Sequence, residues 1–336
     1  MITLVCKQPH ELVYEEWDTP VAKDDGIVMK ISAIGICGTD IHAYGGNQPF
    51  FEYPRVLGHE ASGVISEVGK NISHLKVGQR VALIPYVSCG KCGACLSGKT
   101  NCCEKISVIG VHENGAFSEY VSAPAINVIP IANNVDDITG ALIEPFAISA
   151  HAVRRAKISK GTDVLVVGAG PIGLGAAAIA HADEANVVIA DTSVERRAHI
   201  QANIPKVPTI DPLNEKIEDY FNGRLPEVVI DATGNQKAMN NSVYLIRHGG
   251  RIVFVGLHKG TIEFNDPDFH KKETTLMGSR NATLEDFEKV QRLMAEGKIS
   301  ANMMLTHTFK YDELADIYEE KITKNKALIK SVIIHQ

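Results

Sequence analysis

The sequence predicts a chain of the α/β plus β class, with a small β-barrel domain and a doubly wound parallel sheet. Three observations carry this. Up to about residue 148, short apolar runs alternate with glycine turns. From there to about residue 280, apolar strand-length runs alternate with helix-length segments. A glycine triplet stands at the first strand-to-helix junction of that second region. The chain has 336 residues, 45% of them hydrophobic, which is enough for two domains with cores of their own.

The first region is read from runs such as Gly26–Ile31, Gly63–Gly69 and Arg80–Ile84, short β segments closed by tight turns. A cysteine-bearing loop interrupts it. The pattern changes near Glu144, where Glu144 to Lys157 reads as a helix. Asp163–Val167 is a continuous apolar run, as in a parallel strand covered on both faces. Helices follow at Pro171–Ala182, Val194–Ala202, Ile217–Asn222 and Ala238–Ile246. Strands alternate with them at Asn186–Ala190, Lys206–Ile210, Glu227–Ile230, Arg251–Val255 and Thr274–Met277. Repeated units of this length give a doubly wound sheet. The last stretch carries helices near Leu284–Ala295 and Tyr311–Lys321 and an apolar strand at Leu328–Ile334, and is expected to return to the first domain. The expected division is therefore 1–147 with 281–336, and 148–280. Between helix and second strand, Ala182–Asn186 lacks the usual glycine, so Asn186 or Asn203 is expected to take the left-handed turn.

The charge balance excludes some functions. A net charge of −6 and no long basic run argue against nucleic acid as a partner. No apolar run is long enough to span a bilayer. The N-terminus lacks a charged segment followed by an apolar one, so a cytoplasmic protein with reduced thiols is expected.

Cys89, Cys92, Cys95 and Cys103 lie at gaps of three, three and eight. Four thiolates so spaced suit a tetrahedral, closed, structural Zn²⁺ site. The gap of eight favours Cys103 as fourth ligand, with Cys102 one residue away as the alternative.

Gly168-Ala169-Gly170-Pro171-Ile172-Gly173 is a G-x-G-x-x-G between a buried strand and a helix. The first glycine allows the tight turn, the second the approach of a pyrophosphate, the third the packing of helix on strand. The helix N-terminus stabilises the phosphate charge. Asp191 ends the next strand, where a carboxylate grips a ribose 2′-hydroxyl and repels a 2′-phosphate. NAD is thus expected over NADP, a preference that Arg196 and Arg197 blunt slightly.

Cys37-Gly38-Thr39-Asp40-Ile41-His42 and Gly58-His59-Glu60 form a second constellation. Cys37, His59 and a carboxylate make a mixed site that leaves a position open on zinc. Zinc in such a site promotes loss of an alcohol proton, which drives hydride to a nicotinamide. Thr39 is expected to bond the substrate oxygen, and His42 to carry the proton outward.

With these motifs the chain resembles the zinc-dependent medium-chain dehydrogenases over nearly its whole length. The most specific parts are Gly35–His42, Gly58–Glu60, the four cysteines and Gly168–Gly173. The resemblance implies a GroES-like β-barrel catalytic domain with a Rossmann coenzyme domain inserted before the C-terminal segment. Ile143-Glu144-Pro145-Phe146-Ala147 looks more like the sorbitol dehydrogenase and sugar-acid 5-dehydrogenase branch than like classical alcohol dehydrogenases. The latter hold a third thiol where Glu144 stands. The implied catalytic zinc set is Cys37, His59, Glu60 and Glu144, and which glutamate binds directly is left open. Tyr53–Glu60, Val87–Gly90, Gly110–His112 and Gly278–Asn281 resemble bacterial enzymes that oxidise the C5 hydroxyl of L-gulonate, L-galactonate or L-idonate. Such an aldonate needs a cation for its carboxylate, and Arg280 is the candidate. Tyr44 and Phe117 are expected to shape the pocket.

The expected function is thus a zinc- and NAD-dependent dehydrogenase of an acyclic sugar acid. A polyol or 2,3-diol dehydrogenase is the alternative of the same class. A zinc-knuckle nucleic-acid binder and a non-catalytic zinc- and NAD-binding sensor are the alternatives of other classes. Relatives form dimers or tetramers, so a homodimer or homotetramer is expected, with a small-molecule substrate and neither nucleic acid nor membrane as partner.

Overall fold

A computed structural model of the chain describes residues 1–48 and 51–335. It divides into two compact units. The first comprises Met1–Glu144, Thr283–Ala295 and the chain from Leu305 on, and the second comprises Pro145–Ala282 and Glu296–Met304.

The first unit is the β-rich one. Its main sheet runs Val128–Pro130, Arg80–Leu83, Glu60–Val68, Gly26–Ile36, Ser331–Ile334, His307–Lys310, and Tyr120–Pro124 pairs with Gly26–Ile36. A second sheet orders Glu11–Glu16, Ile2–Gln8 and Arg55–Val56. Leu4, Ile27, Met29, Ile34, Leu57, Ile65 and Leu83 are each at most 1% exposed and share one core. Each such side chain contributes about 1.5–3 kcal/mol on leaving water. The C-terminal strand Ser331–Ile334 lies antiparallel to Gly26–Ile36, pairing Ser331 with Ile36. That register sets Lys330 beside the turn that carries Cys37.

The second unit holds a six-stranded parallel sheet. The spatial order is Thr209–Ile210, Asn186–Ala190, Asp163–Val167, Val228–Asp231, Arg251–Phe254, Thr275–Gly278. The first strand in sequence is central, so the order reverses beside it, and open α/β sheets bind ligands at that point. Leu165, Val188, Val229 and Ile252 form the core beneath one face.

Four local expectations are corrected. Residues 296–304, expected with the barrel, belong to the second unit. Ile299 and Met304 are buried there, and the Met303 carbonyl lies 3.1 Å from His199 Nε2. Glu184, not Asn186 or Asn203, takes the left-handed turn at φ +62°. Its carbonyl accepts the Gly161 N–H and its carboxylate pairs with Lys160 at 2.6 Å. The helix expected at Ala238–Ile246 instead spans Gln236–Asn241, because the Asn235 side chain caps it by accepting the Ala238 N–H. The expected helix Tyr311–Lys321 is a 3₁₀ turn, an α turn at Leu314–Ile317 and a π turn at Tyr318–Thr323. The wider turn keeps Leu314, Tyr318 and Ile322, all buried, on one face. No helix among the described residues is long and apolar enough to cross a membrane.

Candidate active site

Strand Gly26–Ile36 runs directly into Cys37, which precedes the short helix Gly38–Tyr44. Asp40, 1% exposed, fastens this turn. One carboxylate oxygen accepts the Cys37 N–H at 2.9 Å and the other accepts the Gly58 N–H at 3.0 Å. The second oxygen also lies 3.6 Å from His59 Nδ1. One buried carboxylate thus ties the Cys37 turn to the His59 strand and orients the imidazole. Sequence reasoning passed over Asp40, although its place three residues after Cys37 is the signal of a capping box.

The ligating atoms of Cys37, His59 and Glu60 lie within 4.8 Å of one another. His59 is 5% and Glu60 1% exposed. Glu60 fits against Gly35, where an added Cβ would stand 2.1 Å from Glu60 Oε2. Lys330, 2% exposed, donates its Nζ to Glu60 Oε1 and to the Ile36 carbonyl. Burial pulls the Lys330 ammonium down, but Glu60 and then Cys37 outweigh it and leave it above its ordinary value. Lys330 had no signal in the sequence. Strand register alone brings it across 270 residues of chain.

Glu144 opens the helix Ile143–Arg155 and is 2% exposed. It stands outside the three-residue cluster but close enough for His59, Glu60 and Lys330 to act on its charge. Burial, reinforced by Glu60, pushes its carboxyl up to about 7. Its Oε1 accepts the hydroxyl proton of Tyr86, a residue sequence reasoning did not single out. Burial, then Glu144, raise the Tyr86 phenol well above its usual range.

Glu60 Oε2 and Glu144 Oε2 are buried atoms with no hydrogen-bond partner among the described residues. Burial lowers the His59 imidazole, yet Asp40 and Cys37 together hold it well above its ordinary value. A centre with so much unmet demand for positive charge fits a divalent cation, which competes for the same lone pairs. Sulfur, imidazole and carboxylate together are a zinc set with room for substrate.

The second cluster is equally compact. Cys89, Cys92, Cys95 and Cys103 place their thiols within 4.8 Å of one another. Cys92 Sγ lies 3.5 Å from Cys95 Sγ and 4.0 Å from Cys103 Sγ. Tetrahedral zinc with Zn–S bonds of about 2.3 Å requires S···S separations of about 3.8 Å. The backbone N–H groups of Cys89 and Lys105 both donate to Cys103 Sγ at 3.3 Å. Those of Glu104 and Cys95 lower the Cys92 thiol to about 6. Cys102 is exposed and outside the cluster.

In the second unit, Gly168 takes φ +94° directly after the strand Asp163–Val167. A Cβ on Gly173 would stand 1.8 Å from the Gly168 carbonyl, so helix Pro171–Ala182 reaches the strand only with glycine there. Gly170 precedes that helix, with Pro171 and Ile172 in its first turn. Asp191 accepts the Ala169 N–H at 2.7 Å and the Ser193 N–H at 2.8 Å, which sets its carboxylate against the glycine loop. Arg196 Nη1 lies 3.5 Å from it. Arg197 is engaged elsewhere, on the Asp191 carbonyl and the Asp211 carboxylate.

The remaining expected residues fall differently. Thr39 is half-buried beside Cys37, and His42 is exposed on the last turn of its helix. Phe117 and Tyr44, expected to shape the pocket, belong to the hydrophobic core. Phe117 is wholly buried, and Tyr44 is 6% exposed with its ring 4.7 Å from that of Tyr318. Arg280 is exposed just after strand Thr275–Gly278.

A barrel-borne cysteine–histidine–carboxylate centre, a four-thiol knot and a dinucleotide loop on a parallel sheet define a zinc-binding dehydrogenase. Residues 23–133 match the alcohol dehydrogenase GroES-like domain and residues 171–296 the zinc-binding dehydrogenase family. The chain belongs to the zinc-dependent medium-chain dehydrogenases, whose cofactors are zinc and a nicotinamide dinucleotide. It is 62% identical to the L-galactonate-5-dehydrogenase of Escherichia coli K12 over 99% of this chain and 98% of the relative. It is 32% identical to a sorbitol dehydrogenase of Halalkalibacterium halodurans over 90% of each chain. A crystal structure of an alcohol dehydrogenase (rspB) from E. coli CFT073 complexed with NADH superposes with a TM-score of 0.90. It covers 99% of both chains at 32% identity.

Proposed function

We propose that the chain oxidises the C5 hydroxyl of an acyclic aldonate, of the L-galactonate, L-gulonate or L-idonate type, to the keto acid and passes the hydride to NAD. The single observation that carries this is the 62% identity, over nearly the whole chain, to a dehydrogenase acting on L-galactonate. The cluster of half-buried Cys37 with buried His59 and Glu60 supports the metal-assisted chemistry.

Cys37, His59, Glu60 and Glu144 would hold the catalytic zinc, and Cys89, Cys92, Cys95 and Cys103 the structural one. Zinc supplies Lewis acidity, which lets an alcohol lose its proton near neutral pH. Asp40 keeps the His59 ring oriented, and Lys330 holds Glu60 by Oε1. Thr39, two residues past Cys37, bonds the substrate oxygen and gives up its own hydroxyl proton as it receives the substrate's, and His42, exposed, carries the released proton to water. Gly168, Gly170, Pro171, Ile172 and Gly173 receive the pyrophosphate at a helix N-terminus. Asp191 takes the adenosine ribose and favours NAD, with Arg196 beside it. Arg280 supplies the cation for the aldonate carboxylate.

Seven unpaired thiols suit a reducing compartment, and we assign the chain to the cytoplasm. Assembly as a homodimer or homotetramer follows the habit of relatives, and light scattering reads it directly. The deciding experiment is NAD reduction over a panel of aldonates and neutral polyols, with and without a chelator. Turnover of an aldonate, abolished by chelation, is expected, and turnover of neutral polyols alone would transfer the chain to the polyol alternative. Arg280→Ala should raise KM for the aldonate and leave a neutral polyol nearly unaffected.

A further inference from the structure

We infer that Tyr86 is a positioning residue of the Cys37–His59 centre: its hydroxyl holds Glu144 by one carboxylate oxygen and so reserves the other for the metal. This rests on the zinc assignment proposed above.

The two glutamates of the centre are arranged alike and charged differently. Glu60 gives Oε1 to Lys330 and Glu144 gives Oε1 to Tyr86, and in both Oε2 is buried without a hydrogen-bond partner among the described residues. Lys330 brings a full positive charge, so the charge of Glu60 is already compensated. Tyr86 brings a neutral hydroxyl, which fixes Glu144 in place and leaves its negative charge unspent. A buried carboxylate so held is costly unless a cation completes it. A neutral donor on one oxygen is also what orients a ligating carboxylate without competing for the metal.

Tyr86 is well placed to act as a fixed anchor. It opens the two-residue strand Tyr86–Val87, which pairs with Ser107–Val108. Its carbonyl accepts a proton from Asn127 Nδ2 at 3.0 Å, and the preceding Pro85 carbonyl accepts the Ile109 N–H at 3.0 Å. Its ring meets Phe287 edge-on at 6.3 Å. Cys89 follows three residues later and Cys103 precedes Ser107 by four, so this strand pair closes the base of the four-thiol loop. The loop therefore has a second use, since its base holds the residue that holds Glu144.

The test removes one oxygen atom. Zinc-loaded Tyr86→Phe and the parent protein are titrated with a competing chelator and zinc per chain is followed. One zinc should leave Tyr86→Phe at 10–100-fold lower chelator strength, while the four-thiol zinc leaves as before. In the cobalt-substituted proteins the visible bands of the Cys37 centre should shift. Glu144→Gln supplies the second arm: if Tyr86 acts through Glu144, adding Tyr86→Phe to Glu144→Gln weakens the metal no further. Zinc affinity within two-fold of the parent, an unchanged cobalt spectrum, or additive losses in the double variant each overturn the inference. A parent that retains two zinc ions and turns over aldonate leaves the proposed function standing in that event. A parent with zinc only at the four thiols takes down both.

Discussion

Lys330 and Glu60 form an ion pair that is 2% and 1% exposed, joining the residue before strand Ser331–Ile334 to the strand that follows His59. Two ionised groups rarely go so deep unless each is fully used. The ammonium here also donates to the Ile36 carbonyl at 2.9 Å, one residue before Cys37. The pair thus fixes the backbone next to Cys37 and next to His59 as well as neutralising charge.

Removing one partner leaves the other buried and uncompensated, which costs about 3–5 kcal/mol. Lys330→Met should lower the unfolding free energy by that amount in urea titrations. Lys330→Met combined with Glu60→Gln should recover a large part of it, since no bare charge remains. A single variant as stable as the parent would mean that the pair carries no such weight.

The metal count separates the two adjacent cysteines. Cys103→Ala should reduce bound zinc from two per chain to one and destabilise the loop between Tyr86 and Val108. Cys102→Ala should keep both ions, because Cys102 is exposed and outside the cluster. Elemental analysis of the two purified variants decides it. Equal zinc loss in both would contradict the geometry of the four thiols.

Much of this arrangement was legible in the sequence, and the rest was hidden for a definite reason. Strands Asp163–Val167 and Asn186–Ala190 and the helix Pro171–Ala182 are found as expected, because period and capping are local properties of the chain. The cysteine spacing and the glycine loop are local as well. Tyr86, Lys330 and the core positions of Tyr44 and Phe117 are not. Each depends on which strands become neighbours, as when Ser331 pairs with Ile36. Aromatic residues near a ligand motif look the same in a sequence whether they face a pocket or a core. Phe117 proved to be core: its N–H donates to the Leu57 carbonyl, its carbonyl accepts the Tyr311 hydroxyl, and the residue is wholly buried.

Coenzyme choice should turn on Asp191. Its carboxylate accepts two backbone N–H groups and stands 3.5 Å from the half-exposed Arg196. Asp191→Ala removes the ribose acceptor and frees Arg196 to meet a 2′-phosphate. A charge-assisted hydrogen bond of about 1.5–3 kcal/mol predicts a loss of roughly 10–100-fold in kcat/KM for NAD. The value for NADP should rise. The double variant Asp191→Ala with Arg196→Ala should lose the NADP gain. If it keeps the gain, Arg196 has no part in it.

Acid stability should report on His335. Its ring stacks on Tyr311 at 4.0 Å, and its Nε2 is buried without a partner among the described residues. Burial, with some help from Lys30 and against the pull of Glu119, pushes the imidazole down to about 4. The folded value thus lies below the unfolded value of about 6.5. Above about pH 6.5 the ring is neutral in both states and the full stability is present. As the pH falls from there towards 4, the unfolded chain takes up a proton that the folded one refuses, and stability is lost across that window. The loss attributable to this one group is at most about 3 kcal/mol, less what partial exposure of the ring screens away. His335→Phe keeps a ring against Tyr311 and removes the titration. Its urea midpoint should therefore fall less than the parent's between pH 7 and pH 4.5, with the carboxylates contributing equally to both. Parallel curves for the two proteins would show that His335 titrates as an ordinary surface histidine.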